Sequence, residues 1–219
     1  MGERPATVHD FGGFPEALYA LQYPAKGSPT IAQAVSDCLI TANFETTFAP
    51  QQGWDHGAWV PLMKLYPKAQ IPVVQISLPA LQTPAFYYAL GQALAPLRAQ
   101  GLMVIASGSL THNLYDVRLH SDRVGSDAAP VAPITSVAPY VLPFRNWVQA
   151  RVEARDLPAL LNYRVLAPFA VECHPTDEHW LPLYVALGAG EFENFGAKLN
   201  YFSGELAHYT LAMDNVVLT

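Results

Sequence analysis

Charge is scarce in this chain of 219 residues: 14% of positions are Asp, Glu, Lys or Arg, with 12 Lys and Arg against 18 Asp and Glu. The net charge of −6 and the few cationic side chains leave no electrostatic footprint for nucleic acid, which needs clustered Lys and Arg. No apolar run reaches the roughly 18 residues of a membrane span. The opening Met-Gly-Glu-Arg-Pro has no apolar secretory core and lacks the Ser or Thr of a myristoylation site. Cysteine is limited to Cys38 and Cys173, with no CxxC pair. Two such residues read as thiols rather than a disulfide framework, and they cannot build a structural zinc site alone. A cytoplasmic setting without nucleic-acid or membrane partners is expected. GxSxG, Walker and GxGxxG patterns are missing as well, which removes the usual support for serine hydrolysis and nucleotide binding.

Apolar residues are plentiful at 51%, so a large core is expected and general disorder is excluded. The 19 prolines punctuate apolar runs and form no linker. Asp127 to Pro143 reads as a mobile loop. Ser28-Pro29 marks the N-cap and first position of a helix reaching about Asn43. Asp55 precedes a helix from Gly57 to Tyr66, and another is expected from Pro84 to Gln100. The β-branched run Ile71 to Leu78 and the run Leu102 to Ala106 read as buried strands. Strand, helix and strand with continuous apolar strands imply a layered α/β/α domain around a mainly parallel or mixed central sheet. Further helices are expected at Phe144 to Ala154 and His179 to Leu187, then strands at Leu199 to Phe202 and Val216 to Leu218.

Ligands in open α/β sheets bind beyond the carboxyl ends of strands, which draws attention to His112 in Ser107-Gly108-Ser109-Leu110-Thr111-His112-Asn113. The Gly-Ser turn would let backbone approach a ligand, and Asn113 could orient the imidazole. A histidine that only caps the strand-end loop fits the position equally well. His56 lies in Trp54-Asp55-His56-Gly57-Ala58-Trp59, where the adjacent carboxylate could fix its tautomer or simply cap the helix. His174-Pro175-Thr176-Asp177-Glu178-His179 is the densest set of metal-capable side chains. Two histidines five apart could serve a divalent cation, although this is not the HExxH spacing. A charged helix cap explains the carboxylates and leaves the histidines unexplained. His9-Asp10-Phe11-Gly12-Gly13-Phe14-Pro15 lines a pocket or bends the chain. His120 and His208 are isolated and read as surface or core residues.

The order of His9-Asp10-Phe11-Gly12-Gly13-Phe14-Pro15, Tyr23-Pro24-Ala25 with Gly27-Ser28-Pro29, Asp55-His56-Gly57-Ala58-Trp59, Ser107-Gly108 with His112-Asn113-Leu114, and Pro175-Thr176-Asp177-Glu178-His179 resembles class III extradiol ring-cleavage dioxygenases. The resemblance is to the DOPA-dioxygenase-like branch of the LigB superfamily. It implies a non-haem Fe(II) enzyme, with Zn(II) as the other metal associated with the family, that opens a catechol with O₂. By the same resemblance His179 is a metal ligand, His112 the acid–base histidine and His56 a second histidine that contacts substrate. Glu178 is the alternative ligand, by analogy with branches that use two His and one carboxylate. Small catechols and O₂ are the implied partners, and a homodimer is compatible with the resemblance.

Family members begin with a segment carrying His-Gly-Ser-Pro and Ala-His-Trp, each supplying a ligand. Lys26-Gly27-Ser28-Pro29 is not the first of these. The chain is therefore expected to be a single dioxygenase-like catalytic domain over residues 1–219, N-terminally incomplete, with apolar surface exposed where the first strands would pack. The rival reading is a metal-free, non-catalytic homologue that binds through the same fold. A weaker third reading is a metal-dependent hydrolase using the His174 to His179 cluster.

Overall fold

The structure, a computed structural model, describes residues 2–115, 138–195, 199–202 and 216–218. It divides into two compact units, residues 1–81 with 96–103 and residues 82–95 with 104–219. His120 and His208 lie outside the described residues, as does the expected mobile loop as far as residue 137.

In the first unit, extended segments lie side by side at single parallel bridges, Thr7 with Trp54 and Gly27 with Val73. Val8 N–H donates to the Trp54 carbonyl and Trp54 N–H to the Ala6 carbonyl, both at 2.8 Å. Trp54, Trp59, Tyr23, Ala25 and Leu62 form the core beneath them. The helix Pro29–Thr41 starts where expected: the Ser28 side chain accepts from Ile31 N–H and satisfies one of the four unpaired donors of the first turn. Its buried stripe is Ala32, Ser36 and Leu39. Asp55 caps the helix His56–Leu65 in the same way through Ala58 N–H.

The continuous central sheet expected from the sequence is not present among the described residues. Of the run 71–78, Val73 alone makes a bridge, and the run 102–106 forms no ladder. Ile71 and Met103 are 51% and 71% exposed, whereas a strand covered on both faces would hide them. The multi-residue ladder that is described is antiparallel, Leu199–Phe202 against Val216–Leu218, at the two positions expected.

The second unit is built on two helices that cross with almost no space between them. Pro84–Leu94, capped by Thr83, buries Tyr87, Tyr88, Leu90 and Leu94, and Pro182–Ala189 buries Tyr184, Val185 and Leu187. A Cβ on Gly91 would fall 2.2 Å from the Val185 carbonyl oxygen, and one on Gly188 would fall 2.1 Å from that of Tyr88. Glycine is therefore required at the crossing, although the sequence suggests Gly188 as a helix stop. The helix begins at Pro182 rather than at 179 because proline suits the first helical position. Residues 178–181 form a turn instead, in which the Asp177 carbonyl accepts from Trp180 and Leu181 N–H.

A third helix, Val141–Glu153, buries Val141, Phe144, Val148 and Val152, so the last residues of the expected loop are helical. Trp180 packs edge-on against Phe144 at 5.2 Å, and its Nε1 donates to the Tyr184 hydroxyl, which donates in turn to the Leu160 carbonyl at 2.6 Å. This chain anchors the turn that carries Glu178 and His179. No described helix is long and apolar enough to cross a membrane.

Gly188→Ala should destabilise the fold by about 1–3 kcal/mol through overpacking against backbone that cannot yield. Gly12→Ala, where a Cβ meets nothing within 4 Å, should stay within about 0.5 kcal/mol of wild type. Urea denaturation of the two variants checks the contrast, and equal midpoints would contradict it.

Candidate metal centre

Residues 108–113 follow the apolar run and lie against residues 172–179. Ser109 N–H donates to the His179 carbonyl and His112 N–H to the Cys173 carbonyl, each at 2.8 Å. The Asn113 amide donates to the Glu172 carbonyl at 2.8 Å, so it ties the two segments together. A Cβ on Gly108 would sit 2.3 Å from the His179 carbonyl oxygen. The close approach that Gly108 permits is thus to the neighbouring segment's backbone.

His174 completes this clasp from inside. It is fully buried, flanked by Phe144 and Trp180 at ring-centroid distances of 5.8 and 5.5 Å, and its Nε2 donates to the Leu110 carbonyl at 2.7 Å. Burial pushes its pKa down to about 3, so the ring is neutral and its one N–H is committed to Leu110. Arg164 grips the same turn, donating to the carbonyls of His174 and Pro175. The two histidines of the 174–179 cluster therefore point to different places, and the pairwise cation site expected from their proximity in sequence does not form. His174, metal-capable by residue type, is a core residue.

His179 does reach the surface of this unit. Its ring stacks on His112 at 3.5 Å with planes 15° apart, and its Nδ1 donates to Glu178 Oε1 at 3.1 Å. The Glu178 carboxyl lies below the usual carboxylate range: partial burial would raise it, but hydrogen bonds from its own backbone N–H, the Thr176 hydroxyl and His179 outweigh that. Among the described residues, His112, Glu178 and His179 form a group that could hold a metal ion, their ligand atoms all within 4.8 Å of one another. Two imidazoles and a carboxylate are the donor chemistry of divalent transition metals, at about 2.0–2.2 Å per bond. The set fits such an ion in kind. With Nδ1 held by Glu178, the lone pair of His179 is at Nε2, the arrangement in which a carboxylate orients a metal-binding imidazole. His112, Leu114, Tyr115, Pro175, Thr176 and Glu178 line a pocket beside the group.

His56 belongs to the first unit. The adjacent Asp55 is not its partner, because that carboxylate accepts from Ala58 N–H and from the Gln75 amide. Asp10, 46 positions away, lies 2.8 Å from His56 Nδ1. The sequence offered the motif containing Asp10 but no signal for this pairing.

The profile of the family described as the catalytic LigB subunit of aromatic ring-opening dioxygenase matches residues 1–212. The chain is 41% identical over 188 residues to the 4,5-DOPA dioxygenase extradiol of Escherichia coli (strain K12), covering 85% of this chain and 65% of that protein. It is 38% identical over 206 residues to the protein of the same name from Beta vulgaris, covering 93% and 72% respectively. A crystal structure of an uncharacterized protein from Escherichia coli K12 superposes over 98% of this chain and 79% of that one, with a TM-score of 0.69 and 28% identity. That likeness supports an α/β dioxygenase fold. The chain spans about two thirds of the length of the curated relatives it matches.

His174 has a measurable consequence for stability. Its folded pKa of about 3 lies below the ordinary histidine value of 6.5, so between these pH values the unfolded chain binds a proton that the folded one refuses. Wild-type stability should therefore fall on acidification from about pH 6.5 toward 3, by up to about 1.4 kcal/mol per pH unit from this group. His174→Gln, which cannot titrate, should lack that component, and denaturant titrations at several pH values compare the two. A difference between the proteins that stays constant with pH would contradict the assignment.

Proposed function

This chain belongs to the LigB family of aromatic ring-opening dioxygenases, and on that premise we propose that it opens a catechol ring by extradiol cleavage with O₂ at a bound Fe(II). The observation that carries the reading is the convergence of His112, Glu178 and His179 in a chain of this family. Dioxygenases of the family are metal-dependent, and residues 1–219 are read as one catalytic domain. The relatives named for DOPA make a DOPA-like catechol the first substrate to try.

His179 would hold the ion through Nε2, with Glu178 either fixing its ring from behind or adding a carboxylate oxygen. When bound, the ion would supply Lewis-acid and redox chemistry at this site. Of the three grouped residues, His112, whose ring lies against His179, serves the proton and not the ion. An imidazole can take the catechol hydroxyl proton and return it to the opening product near neutral pH. Its backbone N–H is committed to Cys173, which holds the residue in place while the ring exchanges protons. His56 is the second histidine of the reaction. Leu114, Tyr115 and Pro175 supply the apolar side of the pocket that an aromatic ring needs.

Oxygen uptake by the Fe(II)-loaded chain with DOPA and simpler catechols tests the reading. Catechol-dependent uptake is expected, and His112→Ala should lower it by about 10²- to 10⁴-fold while metal is retained. Metal-loaded wild type that consumes no O₂ with any catechol would favour the non-catalytic reading, and full turnover in His112→Ala would remove His112 from its role.

A further inference from the structure

We propose that Asp10 is a positioning residue for His56, making the two an Asp–His dyad whose outward, proton-accepting atom is His56 Nε2. The geometry fixes the direction of the bond. Asp10 Oδ1 receives both the His56 backbone N–H at 3.1 Å and the ring Nδ1 at 2.8 Å. A backbone N–H can only donate, so this oxygen is the acceptor, and an ionised carboxylate has no proton to offer in return. Burial would raise the Asp10 pKa, but the hydrogen bonds from the His56 ring and backbone outweigh it and hold the carboxyl below its usual range. Nδ1 therefore carries the hydrogen, and the lone pair of the neutral ring is at Nε2.

The ring is also gripped from a second direction. Phe11, the residue after Asp10, meets it edge-on at 5.6 Å and 86°, and Phe11 in turn packs against Tyr19 and Trp59. Both dyad residues remain close to half exposed, so a substrate can meet the ring. The sequence-adjacent Asp55 cannot do the same work, since both of its oxygens are already occupied. Two hydrogen bonds from one residue to one carboxylate oxygen exceed what capping the helix requires, because Asp55 already caps it.

In the ring-opening reading, on which this role rests, His112 takes one catechol hydroxyl proton and His56 the other, that O–H bond breaking as the His56 Nε2–H bond forms. Asp10 balances the resulting imidazolium charge, and the proton is later returned from Nε2. Asp10 touches no substrate and acts through His56 alone.

Nitrogen-15 NMR of the histidine rings in the full chain, at a pH where they are neutral, decides the dyad, with His56→Gln identifying the signals. The expected wild-type pattern is a pyrrole-like Nδ1 and a pyridine-like Nε2, the reverse of the tautomer a free histidine prefers. Asp10→Ala should lose that pattern, whereas Asp55→Ala should keep it. A wild-type ring with hydrogen on Nε2 would overturn the proposal, and this holds even where Asp10→Ala folds poorly. Catechol-dependent O₂ uptake should fall roughly 10²-fold in Asp10→Ala, the lower end of what a positioned acid–base group contributes. Unchanged uptake alongside a lost tautomer would overturn the positioning role. An inactive wild type with the expected tautomer would count against the ring-opening reading and uphold the dyad.

Discussion

The backbone clasp between residues 108–113 and 172–179 is the constraint on which the candidate centre depends. Hydrogen bonds from Ser109, His112, Asn113 and His174 join the two segments, and every side chain of the His112, Glu178 and His179 group is mounted on one or the other. The clasp closes only because residue 108 has no side chain to strike the His179 carbonyl. Trp180 and His174 then hold one strand of it against the core from below, while Arg164 fastens the turn between them. A centre built this way is positioned largely by main-chain contacts. Backbone groups at the clasp must be paired in any case, so pairing Ser109 and His112 N–H with carbonyls of the facing segment fixes the two segments against each other.

Histidines in the two units play three physically different parts, set by their surroundings. His174 is buried and neutral, and it acts as a structural donor. His179 is partly exposed and has Glu178 at one ring nitrogen. His56 has one nitrogen assigned to Asp10. In each case a partner on one ring nitrogen determines what the opposite nitrogen can do. Carboxylates occupy that partner position for the two partly exposed histidines, and a main-chain carbonyl occupies it for the buried one.

Local features were legible in the sequence because their causes are local. Ser28, Asp55 and Thr83 each cap a helix through the third residue on, a relation that a short window contains. Strand-end position and family motif order point to His112 and His179, and the structure brings those two rings together. The Asp10–His56 pair was hidden because its members are 46 positions apart, and an adjacent Asp55 offered a false partner. The inward turn of His174 was hidden because metal-capable and core histidines are written with the same letter. The helix expected from His179 starts instead at Pro182, whose ring suits a first helical position. The two apolar runs expected as buried strands do not complete a ladder among the described residues, since a strand needs hydrogen-bonding neighbours that its own sequence does not specify.

Gly108→Ala separates the clasp from the ligands it positions, because the substitution deletes no donor atom and inserts one methyl group at the contact with the His179 carbonyl. Equilibrium titration with Fe(II) or Zn(II) of the full chain is the most direct measurement of the account. Wild type is expected to bind one ion per chain, and Gly108→Ala is expected to bind it about 10- to 100-fold more weakly, the range seen when the support behind metal ligands is disturbed. Equal affinity in the two proteins, with both folded, would contradict the claim that this backbone contact assembles the centre.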